Sequence, residues 1–342
     1  MLFFIYQQIE LDTFLPIAME LKKKIKKNDI KFFITNKDTM NNIYKSSTLS
    51  RGLESFGKPF LLSSNKNKLL VFIENLLVKL RIIFWIAKLE NKIVFFPTFA
   101  QSKENKIINF FFKRLNVKKF LLSQSRMVDE AVGVLKKTRT LKIPKESKNY
   151  FDGYIYYHSL QIDFLEQTKK NGLITKDNLV KIGLPGTGKE WQKFLKKEKI
   201  KELKELEKKY KKISNIYTVI GVKGFNISKF LKNAAKTSKQ FKSLVKEIFS
   251  NDPNCLIIYK PHPRDEKPRE IFKFFDEKEH PRFVISYLHT DLLAKLSKSF
   301  FFLMPNNILT NTYGILKINY TNINKHYSSI MKNTFTEVGF GD

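Results

Sequence analysis

Thiols are almost absent. Cys255 is the single cysteine of 342 residues, which excludes an internal disulfide framework and a thiolate-rich zinc site and fits a reducing compartment. Glycine (13) and proline (11) are too sparse for a collagen-like or low-complexity chain. Arginine is scarce too: eight of the 63 basic residues, against 55 lysines. Arginine is the side chain that reads bases and forks phosphates, so a dedicated nucleic-acid reader is not expected. No basic segment followed by an apolar stretch opens the sequence, because the apolar run over residues 1–6 gives way to Gln7. A cytoplasmic location is therefore expected. The richest apolar window, residues 69–89, is interrupted by Glu74, Lys79, Arg81 and Lys88. A charge near a bilayer centre costs about 3 kcal/mol, so this window is not expected to span a membrane.

What is present supports a folded protein. Hydrophobic residues make up 42% and aromatics 14%, enough apolar surface to offset the entropy of ordering a chain. The length predicts two domains. Sixty-three Lys and Arg against 32 Asp and Glu give a net charge of +31, which attracts polyanions, anionic lipid surfaces or phosphorylated substrates. Lys, Asn, Ile and Phe are abundant together, as an AT-rich genome produces, so part of the lysine excess is compositional.

Apolar periodicity alternates between strands and helices. Strands are expected over residues 2–6, 30–35, 92–97, 120–123, 154–158 and 179–183. Between them, helices are expected from Phe14 to Ile25, over 40–45, across 66–89 and over 160–170. An amphipathic helix over 191–212 joins this lobe to a second one with strands over 216–222, 255–259, 283–287, 300–304 and 316–320. Helices over 227–250, 269–276 and 290–298 lie between those strands. Strands alternating with helices predict parallel, doubly wound sheets. The expected organisation is an α/β chain of two Rossmann-like lobes facing a cleft, with domains 1–190 and 214–342 joined by a helix over 191–213.

The sharpest local feature is Lys260-Pro261-His262-Pro263-Arg264, directly after an apolar strand. Each proline fixes its own φ and holds the residue before it extended, so His262 is set in a loop that is rigid before a ligand arrives. Open α/β sheets bind ligands at the carboxyl ends of their strands. Lys260, His262 and Arg264 are therefore expected to face an anion such as a diphosphate; the alternative is a proline-rich turn. Gly221-Val222-Lys223-Gly224 ends another strand, and glycines there let backbone approach a phosphate closely, unless they form an ordinary turn.

Gly183-Leu184-Pro185-Gly186-Thr187-Gly188-Lys189 has phosphate-loop spacing but is followed by Glu190 where a Ser or Thr would hold magnesium. It is expected to turn the chain out of the first lobe. His158, His280, His289 and His326 lack metal-ligand spacing, and no metal site is expected. The runs Phe110-Phe111-Phe112 and Phe300-Phe301-Phe302 read as core, and the basic helical stretch over 110–119 offers contact with an anionic membrane.

Lys260-Pro261-His262-Pro263 after a strand, Val284-Ile285-Ser286 before a helix at Thr290-Asp291, and Met304-Pro305-Asn306-Asn307-Ile308-Leu309-Thr310 with Tyr313-Gly314 together resemble the C-terminal lobe of GT-B-fold transferases. The closest groups build bacterial surface polysaccharides: capsule and polysialyltransferase-like glycosyltransferases, and teichoic-acid-type glycerophosphotransferases. The resemblance implies a nucleotide-activated sugar as donor and a glycan or lipid-linked acceptor, with no further cofactor. It also implies that His262 contacts donor phosphate, with Asn306, Asn307 and Thr310 at a helix N-terminus; Lys260, Pro263, Arg264, Gly221, Lys223 and Gly224 complete the expected donor site.

The acceptor hydroxyl would need a carboxylate base on the loop after the first strand, namely Glu10 or Asp12. Glu10 is preferred, because Asp12 is expected to cap a helix starting near Thr13. Phe151-Asp152-Gly153 reads as a turn before a strand, so sialic acid is not the expected donor. The rivals are a non-hydrolysing sugar-nucleotide epimerase, a glycerophosphotransferase, a basic nucleic-acid-binding protein and a scaffold that binds no donor.

Overall fold

A computed structural model describes residues 1–64, 67–97, 106–122, 151–157, 179–221, 234–261, 280–302 and 320–322. β1 (Leu2–Ile5) is buried at every position, as a parallel strand covered on both faces must be. Phe3 stacks on Phe32 and Phe95 and meets Phe14 of α1 (Gln8–Leu21). Phe4, on the opposite face, packs on Phe33 and Phe96.

There follow β2 (Lys31–Ile34), α2 (Lys37–Tyr44), α3 (Ser47–Glu54), β3 (Phe60–Leu61), α4 (Lys68–Ala87), β4 (Ile93–Phe96), α5 (Lys106–Arg114), β5 (Lys118–Leu122), β6 (Gly153–Tyr156) and β7 (Leu179–Lys181). The strands form one seven-stranded sheet in the order β3-β2-β1-β4-β5-β6-β7. Every pair is parallel, with Leu2 opposite Lys31 and Val94 in the centre. The chain thus winds outward from β1 to one side through β2 and β3, and to the other through β4, which puts the topological switch point between β1 and β4.

Two expectations for this unit are corrected. The helix after β1 starts at Gln8, five residues before Thr13, because Gln7 takes the extended N-cap conformation and Glu10 reaches back to its backbone. Pro16 consequently lies inside α1, where it forgoes the bond to the Asp12 carbonyl. The basic helix expected over 110–119 ends at Arg114, and Lys118 already opens β5. Of its three phenylalanines only Phe112 is fully buried, while Phe110 is exposed. The Asp152 carboxylate accepts the Lys119 amide at 2.8 Å, as a turn before β6 requires.

The second set of elements is α6 (Lys189–Lys209), β8 (Ile216–Ile220), α7 (Ala234–Asn251), β9 (Leu256–Lys260), β10 (Phe283–Ile285), α8 (Thr290–Leu296), β11 (Ser299–Phe302) and β12 (Tyr320–Asn322). Its sheet is again wholly parallel, in the order β10-β9-β8-β11-β12, so its switch point lies between β8 and β11. Phe241, Val245 and Ile248 of α7, at i, i+4 and i+7, pack on Val219, Ile257 and Tyr259. Cys255 is fully enclosed in this core, and burial, helped by Asp252, pushes its thiol up to about 11.

On α6 the buried face carries Trp191 and Leu195 but also Glu198 and Glu202, which are 2% and 5% exposed. In an amphipathic helix, glutamates among lysines ordinarily belong to the solvated side. Glu202 accepts the Ser47 hydroxyl at 2.8 Å, and Glu198 pairs with Lys201 at 3.2 Å. The chain divides into two compact units, one of Met1–Tyr44 with Leu49–Trp191, the other of Lys45–Thr48 with Gln192–Asp342. Among the described residues no helix is long and apolar enough to cross a membrane.

Candidate functional site

In the first unit the residues after β1 and β2 form a braced edge at the carboxyl end of the sheet. The Tyr6 carbonyl accepts the Thr39 hydroxyl at 2.6 Å and the Asn36 side-chain amide at 3.3 Å. Glu10 is 2% exposed, and its Oε2 accepts the backbone amides of Tyr6 at 2.6 Å and Gln7 at 3.1 Å. The structural duty expected of Asp12 therefore falls on Glu10. Asp12 lies half-buried inside α1, at its fifth residue. Both carboxylates sit on the helix that leaves β1 beside the switch point.

At the carboxyl end of β3 the structure opens a groove of about 600 Å³ that sequence reasoning missed. Lys37 and Arg81 supply cations to its lining, Ser63, Ser64 and Glu74 supply oxygen ligands, and Leu61, Leu62, Leu77 and Val78 supply apolar surface. Glu74 accepts the Ser63 hydroxyl, and Asn75 accepts the Ser63 amide at 2.7 Å. The available signals were faint: Lys37 opens a helix just after a strand, and Glu74 and Arg81 lie seven residues apart on one helix.

The loop with phosphate-loop spacing is occupied by protein. It forms a 3-10 turn over Pro185–Thr187 packed on α1, and the Glu20 carboxylate accepts the Glu190 amide in the first turn of α6. A Cβ at Gly188 would lie 2.7 Å from Glu20 Oε1, so this glycine is needed for close approach of the carboxylate. Lys23 closes on Glu190 at 2.8 Å, and that hydrogen bond holds its ammonium pKa above the usual lysine value. A carboxylate thus stands where an NTPase would hold phosphate.

In the second unit the carboxyl ends of β8 and β9 meet. The Gly221 amide donates to the Lys260 carbonyl at 2.8 Å. A Cβ on Gly221 would fall 2.3 Å from Tyr259 Oη and 2.6 Å from Cζ, so the absence of a side chain here makes room for the tyrosine. Lys260 is only 7% exposed, and its Nζ donates to the Tyr287 carbonyl at 3.5 Å. An ammonium so enclosed is costly to keep in a fold unless it meets anions or oxygen dipoles.

On the neighbouring strand the Ser286 amide bonds to the Tyr259 carbonyl at 3.0 Å. Beyond it, His289 caps α8, its Nδ1 accepting the Asp291 amide at 3.1 Å with the Asp291 carboxylate 3.9 Å away. Accepting at Nδ1 leaves the neutral ring's proton on Nε2. Both residues are 5% exposed. No role for His289 was legible in the sequence, because a buried capping histidine has no spacing signature.

Of the expected donor-site residues the structure therefore brings Gly221 and Lys260 together. Lys223, Gly224, His262, Pro263, Arg264, Asn306, Asn307 and Thr310 lie outside the described residues. A further cavity of about 290 Å³, lined by Lys199, Ile216, Lys295 and Lys298 among others, lies at the amino end of β8, away from the ligand edge. Among the described residues no group of three or more His, Cys, Asp and Glu is placed to hold a metal ion.

Two doubly wound parallel sheets in one chain, each with its switch point beside the first strand of its unit, define a protein of the GT-B fold class. Among solved structures it is similar to the UDP-GlcNAc 2-epimerase of Neisseria meningitidis bound to UDP-GlcNAc, with a TM-score of 0.52 and 10% identity over 96% of this chain and 85% of that one. It is similar also to the UDP-GlcNAc 2-epimerase of Methanocaldococcus jannaschii (TM-score 0.51, 13% identity, 94% and 82% covered). A third similar structure is S. aureus MnaA with UDP (TM-score 0.50, 11% identity, 93% and 77% covered). At such identities the likeness is one of fold. No protein-family model and no curated protein matches the sequence.

Proposed function

We propose that this protein is an enzyme of nucleotide-activated sugars, and that it moves the sugar to a surface glycan or lipid-linked acceptor at the inner face of the cell membrane. The observation that carries the reading is the enclosed Lys260 ammonium at the carboxyl end of β9, immediately before Pro261-His262-Pro263-Arg264. Lys260, His262 and Arg264 neutralise the diphosphate as the sugar C1–O bond breaks, which is electrostatic work that requires no metal. The acceptor oxygen forms the new bond to C1, its proton passes to a carboxylate, and the nucleoside diphosphate leaves with the bonding pair. Because two backbone amides hold Glu10, we assign that proton to Asp12. The groove bounded by Lys37, Arg81 and Leu77 is assigned to the acceptor.

The likeness to proteins whose structures contain UDP-GlcNAc or UDP favours a uridine nucleotide and supports a second reading, epimerisation of a nucleotide sugar without acceptor. Calorimetric titration with CMP, CDP, UDP and GDP tests the shared part. One nucleotide should bind wild type, and binding should fall at least ~10-fold in Lys260→Met and His262→Ala, the scale of one lost charge-assisted contact. Equal binding by all three proteins, or none by wild type, would overturn it. Incubating UDP-GlcNAc alone separates the two reactions: isomerised product assigns the epimerase, and turnover only with acceptor assigns the transferase.

A further inference from the structure

α4 is apolar on two faces. Ile82, Ile83 and Ile86 are buried, Ile82 and Ile86 in one core with strand residues Leu2, Phe4 and Val94, which accounts for one face. The other presents Leu70, Ile73, Leu77, Leu80 and Phe84 at alternating spacings of three and four, with Leu69 beside them. Leu69 and Phe84 are each 67% exposed, far above what a monomer's surface helix ordinarily shows in a continuous stripe. The neighbouring α5 adds exposed Ile107 and Phe110, the latter under the Arg114 guanidinium at 4.8 Å. Among the described residues, the exposed large apolar side chains outside α4 and α5 are Tyr44, Val180 and Ile200, on separate segments.

The charges around this stripe are of one sign. Arg81 of α4 and Lys113 and Arg114 of α5 are cations, and the single acidic residue of α4 and α5, Glu74, is turned to the Ser63 hydroxyl. Lys88 follows directly at the C-cap of α4. We infer that the outer face of α4, with the exposed end of α5, is a docking surface for an anionic phospholipid bilayer, its aliphatic stripe entering the headgroup boundary and its cations meeting lipid phosphates. A second copy of this chain would also fit a three-four stripe. It would bring like charges together on two molecules of net charge +31, whereas an anionic membrane complements them. The inference deepens the peripheral placement proposed above and rests on it, but it does not rest on the nucleotide site.

The test is co-sedimentation of the full chain with vesicles of phosphatidylcholine alone or with about one third phosphatidylglycerol. Wild type pellets with the anionic vesicles and is largely released at high salt, where the screening length falls to about 3 Å. Leu69→Ser/Ile73→Ser/Phe84→Ser stays in the supernatant, a loss of roughly 1,000-fold in partitioning, since each buried aliphatic or aromatic group counts for about tenfold. It keeps the wild-type melting temperature and nucleotide titration, while Ile200→Ser pellets as wild type. Lys88→Glu/Lys113→Glu, which touches no apolar residue, also loses binding. Wild type remaining in solution with anionic vesicles, or a triple variant that still pellets, overturns the inference. So does a wild-type dimer that the triple variant makes monomeric, which assigns the stripe to a second copy. If pelleting holds and no nucleotide binds, the surface stands and the enzyme reading falls.

Discussion

Glu10 is the residue on which bracing and catalysis make opposite demands. Its Oε2 holds the amides of Tyr6 and Gln7 at 2.6 and 3.1 Å, and the side chain is 2% exposed. Glu10→Ala removes a cap interaction of about 1 kcal/mol. It also leaves two partly buried amides without their acceptor, which adds about 1–2 kcal/mol once water entering the smaller side chain's space is allowed for. The sum, about 2–3 kcal/mol, lowers the melting temperature of a unit this size by roughly 4–12 °C. Glu10→Gln keeps a carbonyl oxygen in the same place but loses the charge. Charge-assisted bonds are about twice as strong as neutral ones, so about 1 kcal/mol goes.

Urea unfolding followed by circular dichroism measures both variants, and sugar turnover is measured on the same preparations. Bracing predicts that Glu10→Gln retains turnover in proportion to its folded fraction, while Asp12→Asn loses a factor of about 10² or more at unchanged stability. Turnover abolished in Glu10→Gln with stability intact would show that the carboxylate takes the acceptor proton and refute the assignment.

Other consequences follow from geometry. Gly221→Ala drives a methyl into Tyr259 and should cost about 1–3 kcal/mol in unfolding free energy. In combination with Tyr259→Val the two losses should fall short of their sum, and strict additivity would show that the tyrosine is not what the glycine accommodates. Burial would raise the Asp252 carboxyl, yet hydrogen bonds from Ser214, Asn215 and Tyr217 and the charge of Lys298 hold it below its ordinary value of 3.8. Its stabilisation is complete above 3.8 and is lost as pH falls through the lower folded value. Asp252→Asn should therefore flatten the acid limb of a stability–pH profile, and an unchanged limb would count against the interaction. Glu20→Ala removes the carboxylate at the first turn of α6, and the melting temperature should drop by roughly 2–4 °C for about 1 kcal/mol.

The strands of both sheets could be read from sequence because parallel strands covered on both faces are continuous apolar runs, as Leu2-Phe3-Phe4-Ile5 and Leu256-Ile257-Ile258-Tyr259 are. β3 escaped notice: two residues carry no period, and its place is fixed by pairing with β2. The start of α1 was misjudged because Gln7 and Gln8 lack the Ser, Thr, Asp or Asn signal. The interaction that sets the start is made by Glu10, three residues in. Glu198 and Glu202 looked solvated because charge on a lysine-rich helix ordinarily is, and only tertiary contacts such as the one from Ser47 reveal them as buried. The place of Lys260 at the carboxyl end of β9 was legible from the apolar run before it. The groove at β3 was not, because its lining comes from three separate segments, none with a motif of its own.

The lone thiol, sealed at Cys255 in the second unit's core with its proton held to about pH 11, makes the molecule its own reporter. An alkylating reagent at neutral pH has nothing to attack until that core opens. The rate of its incorporation therefore times the breathing of the β8–β9 region alone, whatever the other sheet is doing. Any ligand that seats at the Gly221 and Lys260 edge should slow that clock, so a substrate can be sought by chemistry on one atom before its reaction is known.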